Sequence, residues 1–259
     1  MRCADCGLLR RSHVLSSAHM QSVLETSYQA LPPQAPDPDH PEVVSESAFL
    51  FEHLSRSRSD LRALDIGSGT GNLLAVFKHK GIAAVGIEPF APHAEIARAA
   101  GFQVHIGRFD RSIKRIFADN SFDIVSFGDT INYMDDQGET LDLVRDLLRP
   151  NGILFISCHV ASSPYYWRGA SLIGRVGANA TVFYERRTLA NALRRHGFNV
   201  TAGGRQSVLV THAIDAWGLK GPMARVAGRL LPALVQYLPA DCVFLVASPR
   251  MPNHHKRLT

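Results

Sequence analysis

The sequence is poor in several features that would have settled its class at once. It holds four cysteines in 259 residues (Cys3, Cys6, Cys158 and Cys242), too few and too scattered for a disulfide framework. A reducing compartment is expected. No apolar run approaches the ~18 residues of a membrane span, and the N-terminus carries no signal-peptide core, so a cytoplasmic location is expected. Cys3-Ala4-Asp5-Cys6-Gly7 has no second Cys-x-x-Cys to complete a four-ligand zinc site. His13 and His19 are further donors with nothing to fix their geometry, and no bound metal is expected. There is no Asn/Asp-Pro-Pro-aromatic sequence, and no basic run beyond His254-His255-Lys256-Arg257, which argues against a nucleic-acid substrate. The net charge of +5, mostly from arginine, permits an anionic or lipid-linked partner without demanding one. Gly-x-Gly-x-x-Gly, the dinucleotide fingerprint, is also missing.

What is present centres on residues 63–74. Leu61, Ala63, Leu64 and Ile66 read as a buried strand, Gly67, Gly69 and Gly71 as a tight turn, and residues 72–80 as a helix carrying Leu73, Leu74, Ala75 and Phe77. Strand, glycine turn and helix open a nucleotide-binding α/β unit. The spacing is Gly-x-Gly-x-Gly with Asn72 in the sixth position, and Asp65 stands two residues before the first glycine. A carboxylate there would repel a pyrophosphate and attract a ligand bearing an ammonium and a sulfonium, such as S-adenosylmethionine. Glu88 ends the next apolar run (residues 82–87), where an acid can accept hydrogen bonds from both ribose hydroxyls. A nicotinamide oxidoreductase is disfavoured by Asn72 and Asp65.

With these residues in place, the chain resembles the class I S-adenosylmethionine-dependent methyltransferases. Ser121-Phe122-Asp123-Ile124-Val125 is similar to the family's fourth-strand motif, and Leu148-Arg149-Pro150-Asn151-Gly152 to the turn before its fifth strand. Residues 188–198 look like its following helix and Gly-Phe turn, and 241–247 like its closing antiparallel strand. The resemblance implies an α/β, Rossmann-like, doubly wound sheet of seven strands, mostly parallel, with an antiparallel last strand and helices on both faces. It also implies S-adenosylmethionine as cofactor. The Cys3–Cys6 knuckle resembles the second half of a small zinc ribbon that precedes the catalytic domain in one subfamily, its first half lying upstream or lost.

Chemistry in such sheets gathers outside the carboxyl ends of the strands. The expected cofactor-binding residues are Asp65, Gly67, Ser68, Gly69, Gly71, Glu88, Pro89, Arg108, Phe109 and Asp129, with Arg108 and Phe109 near the adenine. Methyl transfer rests largely on alignment, but a hydroxyl acceptor must lose a proton to a base within hydrogen-bond reach. His159 is the first candidate because its ordinary pKa suits neutral pH; Tyr133 and Asp129 follow. For each, a purely pocket-shaping role stays open. Cys158 and Cys242 read as buried, inert thiols.

The rest of the chain frames this unit. Residues 1–41 form an N-terminal extension ending in a linker with Pro32, Pro33, Pro36, Pro38 and Pro41. Residues 42–250 form the catalytic domain, led by a helix over 42–56, with helices also expected over 92–100 and 135–149. Tyr165, Tyr166, Trp167 and Arg168 suggest a substrate-facing flap, and Arg175, Arg186, Arg187, Arg194 and Arg195 could meet an anion. About 205–240 lies an inserted amphipathic segment that covers the sheet, caps the substrate or touches lipid. A basic tail covers 251–259. The expected activity is methyl transfer to a small molecule (sugar, lipid, quinone or secondary metabolite). A nucleic-acid methyltransferase and a non-catalytic cofactor-binding protein stay open beside it.

Overall fold

The computed structural model describes residues 1, 3, 7–10, 19, 22–23, 25–26, 34–54, 60–160, 180–206 and 242–250. The expected aromatic flap, most of the inserted segment and the tail lie outside these residues. So do Cys6 and His13.

Seven strands form one sheet. β2 (Arg62–Ile66), β3 (Ala83–Glu88), β4 (Gln103–Ile106) and β5 (Phe122–Gly128) are followed by β6 (Leu148–His159), β8 (Phe198–Gln206) and β9 (Cys242–Pro249). Their spatial order is β4-β3-β2-β5-β6-β9-β8. Every pairing is parallel except those of β9, which runs antiparallel between β6 and β8. The last strand in sequence is thus second from the edge. β2, an interior strand, is buried along four of its five residues, as the near-continuous apolar run of a strand covered on both faces requires.

Among the described residues five helices flank the sheet: α1 (Pro41–Glu52), α2 (Asn72–His79), α3 (Ala91–Ala99), α4 (Gln137–Leu147) and α5 (Arg186–Arg195). Two hydrophobic layers result. One packs Leu141, Val144, Leu147, Leu189 and Leu193 against Leu64, Phe127, Ile156 and Leu245; the other packs Leu50, Leu73, Val76 and Phe77 against Ala63, Ile124, Phe155 and Phe244. Burying a leucine or phenylalanine side chain contributes about 1.5–3 kcal/mol, so these layers are the main support of the sheet.

Two expectations shift. The helix expected over 135–149 is shorter, because Asp136 caps it by accepting from the Glu139 amide, and Leu148 leaves the helix to begin β6. Residues 149–152, expected as a turn, belong to β6 and bulge out from β5, the register jumping from Phe122↔Leu148 to Ile124↔Ile153. Two contacts hold the bulge. Arg149 Nη1 donates to Asp123 Oδ2 at 2.5 Å, and Gly152 leaves room that a Cβ would fill at 3.0 Å from the Arg149 carbonyl.

The N-terminal extension docks on the domain. β1 (Leu9–Arg10) pairs antiparallel with β7 (Val182–Phe183), which leads into α5. The proline-rich segment is tied down too: the Asp37 amide donates to Asn72 Oδ1 at 2.9 Å, which places it beside the glycine turn.

Candidate active site

The carboxyl ends of β2, β3, β4 and β5 surround a cavity of about 440 Å³. Its floor is the glycine turn. The Gly67 and Ser68 amides both donate to the Ile87 carbonyl, locking the turn to the end of β3. Gly67 has φ +75°, and a Cβ there would fall inside the Thr130 side chain. Gly69, also left-handed, faces open space within the cavity. Gly71 caps α2 at φ +98°, where a Cβ would press on Phe102. Backbone can therefore meet a ligand closely here, as the glycine pattern anticipated.

Glu88 stands where expected, buried at the tip of β3. Its Oε2 accepts from the Gly69 amide at 2.9 Å and its Oε1 from the Phe90 amide at 2.8 Å. Burial raises its pKa, and those two hydrogen bonds oppose the rise. Each oxygen keeps a second lone pair for a ligand hydroxyl.

Asp65 departs from expectation. It is 3 % exposed and lies beneath the turn rather than on the cavity wall, its Oδ1 accepting from Ser126 Oγ at 2.7 Å. Burial pushes its pKa up to about 7, with the Ser126 hydrogen bond pulling down and the Glu88 charge adding to the rise. Ser68 and Gly71 also shape the turn from behind: Ser68 packs against Gly86, which has no Cβ to displace it.

Pro89, Arg108 and Phe109 line the cavity as expected. Arg108 is ion-paired with Asp135, both half-exposed. Phe109 is held edge-on to Phe127, centroids 6.2 Å apart, and presents a fixed apolar surface. Asp110 was missed by sequence reasoning. It lines the cavity, caps a short 3-10 turn (Arg111–Arg115) by accepting from the Ser112 amide, and has its pKa lowered chiefly by Ser112. An acid just past the third strand was the available signal.

The far wall follows β5. Asp129 and Tyr133 line the cavity with Thr130, Met134, Asp135, Asp136 and Glu139. This wall is anchored through Gln137, which donates to the Ile131 and Met134 carbonyls and accepts from the Tyr184 hydroxyl. Asn132 Nδ2 donates to the Val182 carbonyl, joining the wall to β7. Asp129 has φ +50°, a left-handed conformation uncommon for aspartate. Its Oδ1 is buried with no hydrogen-bond partner among the described residues. His159, the first candidate base, is not on the cavity wall. It stands behind Asp129, Nε2 at 3.6 Å from Asp129 Oδ2.

The charge balance of the wall is one-sided. Glu88, Asp110, Asp129, Asp135, Asp136 and Glu139 face one guanidinium, Arg108. A diphosphate would be repelled, and a ligand with a sulfonium and an ammonium would be held. The residues present therefore fit S-adenosylmethionine. Glu88 would hold its ribose, the Gly67–Gly69 backbone its amino-acid part, and Phe109 with Asp110 its adenine.

Comparison with known proteins agrees. The family model described as a methyltransferase domain matches residues 18–202. A ubiquinone biosynthesis O-methyltransferase of Rhodopseudomonas palustris is 27 % identical over 187 residues, covering 67 % of this chain and 72 % of the relative. Among solved structures, an S-adenosylmethionine-dependent methyltransferase from Thermotoga maritima superposes with a TM-score of 0.58 at 19 % identity, over 90 % of this chain and 99 % of that one. The 1,6-didemethyltoxoflavin-N1-methyltransferase of Burkholderia thailandensis, solved with 1,6-didemethyltoxoflavin and S-adenosylhomocysteine, gives 0.58 at 16 % identity, covering 96 % and 97 %. These two likenesses speak to the fold. The matched family model, the acid-lined cavity and the glycine turn together place the chain in the methyltransferase-domain family, as a class I enzyme that uses S-adenosylmethionine.

Proposed function

We propose that the chain methylates an oxygen of a small hydroxyl-bearing acceptor, with quinol-like phenols as the first class to test. One observation carries this reading. Asp129 lines the cavity with its side chain 32 % exposed, a carboxylate within reach of an acceptor hydroxyl and able to take its proton. The relative named a ubiquinone biosynthesis O-methyltransferase supports oxygen as the target and a phenol as the starting point.

When bound, the cofactor supplies an electrophilic methyl on a sulfonium. The chain's own residues do the rest. The wall carboxylates favour the cation on binding, and the Asp65 charge beneath the turn adds to their field. Phe109, Met134 and Tyr133 narrow the cavity and limit water around the reacting atoms. The Asp129 carboxylate holds the acceptor hydroxyl and takes its proton. On this reading the domain spans 42–250, works in the cytoplasm, and has no nucleic-acid substrate.

Calorimetry with S-adenosylmethionine and with NAD, followed by labelled methyl release to a panel of phenols, amines, sugars and RNA, tests the reading. Cofactor binding with methyl transfer to phenols is expected. Transfer only to amines or RNA would overturn the acceptor class, and binding without transfer to any acceptor would favour a non-catalytic protein.

A further inference from the structure

Three side chains distant in sequence meet behind the far wall. β6 and β9 pair with His159 opposite Cys242, and Asp129 directly follows β5, the other neighbour of β6. Cys242 Sγ lies 3.0 Å from His159 Nδ1, and His159 Nε2 lies 3.6 Å from Asp129 Oδ2. Cys242 is buried, and the His159 side chain is 16 % exposed. The other titratable groups nearby are Cys158 and Glu185. Burial first, then the charges of Asp129 and Glu185, keep the Cys158 thiol protonated.

The placement of the ring decides between roles. Each imidazole nitrogen faces a different partner. The thiol is a donor and only a weak acceptor, while the carboxylate only accepts. When Cys242 S–H donates to Nδ1, the ring carries its proton on Nε2, which faces Asp129 Oδ2 at 3.6 Å, a charge–dipole contact longer than a hydrogen bond. His159 does not line the cavity, so it is not placed to meet the substrate directly. One ligand atom from each of the three residues lies within 4.8 Å of the others, so a metal is the competing reading; it would need the Cys242 thiol deprotonated, and the zinc content of the purified protein separates the two.

We infer that Cys242 and His159 are positioning residues. The Cys242 thiol holds His159 in the Nε2–H tautomer, and that N–H, facing Asp129 Oδ2 across 3.6 Å, orients the carboxylate that lines the cavity. This rests on the methyl-transfer reading for its last step only. There the acceptor O–H bond breaks and its proton passes to the Asp129 carboxylate. The oxygen's electron pair forms the new O–CH₃ bond, and the S–CH₃ pair returns to sulfur. Asp129 afterwards gives the proton to water. Second-layer partners of this kind set tautomer and orientation at many sites, and their loss commonly lowers activity by 10- to 100-fold.

Nitrogen-15 NMR of the histidine-labelled apo-protein tests the first link without cofactor or acceptor. His159 is expected as the Nε2–H tautomer at neutral pH. Cys242→Val should move it toward Nδ1–H or a mixture, and Cys242→Ser, which keeps a donor, should restore it. In turnover, C242V should lower kcat by about tenfold with KM for the cofactor unchanged, and C242S should recover most of that loss. An Nδ1–H tautomer in the wild-type protein would overturn the inference. So would equal losses in C242V and C242S, or stoichiometric zinc in the purified protein that C242V abolishes. If C242V does not fold, the wild-type tautomer and the C242S kinetics still decide. If no acceptor is methylated, the proposed function fails while the tautomer result stands.

Discussion

The two sides of the cavity are built by different means. The cofactor side is local: Gly67 to Glu88 spans one strand–turn–helix–strand unit, and its polar groups answer one another, Gly69 to Glu88 and Gly67 to Ile87. The far wall is assembled from three adjacent strands: Asp129 just after β5 stands with His159 of β6 and Cys242 of β9. On the proposed reading this wall receives the acceptor, so that reading assigns holding to one side and chemistry to the other.

Substitutions should therefore divide cleanly. The largest effect is expected at Asp129→Asn, with kcat reduced about 10²- to 10³-fold and cofactor affinity within threefold of wild type by calorimetry. A parallel loss of affinity would merge the two sides. Next is Gly67→Ala, whose Cβ meets Thr130 and whose φ is left-handed. Urea unfolding should show a loss of about 2–3 kcal/mol, and adding Thr130→Ala should return only the steric part. Glu88→Gln should follow, weakening cofactor binding about tenfold while leaving kcat at saturation nearly unchanged.

A pH effect of similar size sharpens the electrostatic half of the comparison. Asp65 titrates near 3.8 when unfolded and near 7 when folded without ligand. Its folded pKa is raised, so its contribution to apo-protein stability is complete below about pH 4 and is lost as pH rises to about 7. A cationic ligand favours the ionised form. Below pH 7 binding must expel a proton, and affinity should fall by up to about tenfold per pH unit. Asp65→Asn should flatten that slope in calorimetry across pH 5 to 8. The smallest effect is expected from Arg108→Ala. Its ion pair with Asp135 is half-exposed, and cofactor affinity should change by less than about threefold.

The same contrast governs what could be read without coordinates. The cofactor side was legible because its signal is contiguous: glycines that need left-handed or uncrowded backbone, apolar strands, and an acid one strand away. The order of the candidate bases was not. His159 looked best by its ordinary pKa, yet the ring lies behind the wall with both nitrogens facing protein groups. Cys242 looked inert because an apolar strand surrounds it, and only the register of β9 against β6 sets it opposite His159. Asp65 was expected to touch the ligand, but the turn folds over it. The 149–152 segment read as a turn because Pro150-Asn151-Gly152 is turn chemistry, which β6 uses for a bulge.

By itself the sequence indicated an alternating α/β sheet, its seven strands only through the family resemblance, and a glycine turn with two acids that suits a cationic nucleoside, since periodicity, glycine spacing and those acids act within about twenty-five residues. The tertiary structure decided which side chains stand together at the far wall. Contacts between residues 129, 159 and 242 depend on strand order and register, and no local pattern encodes those.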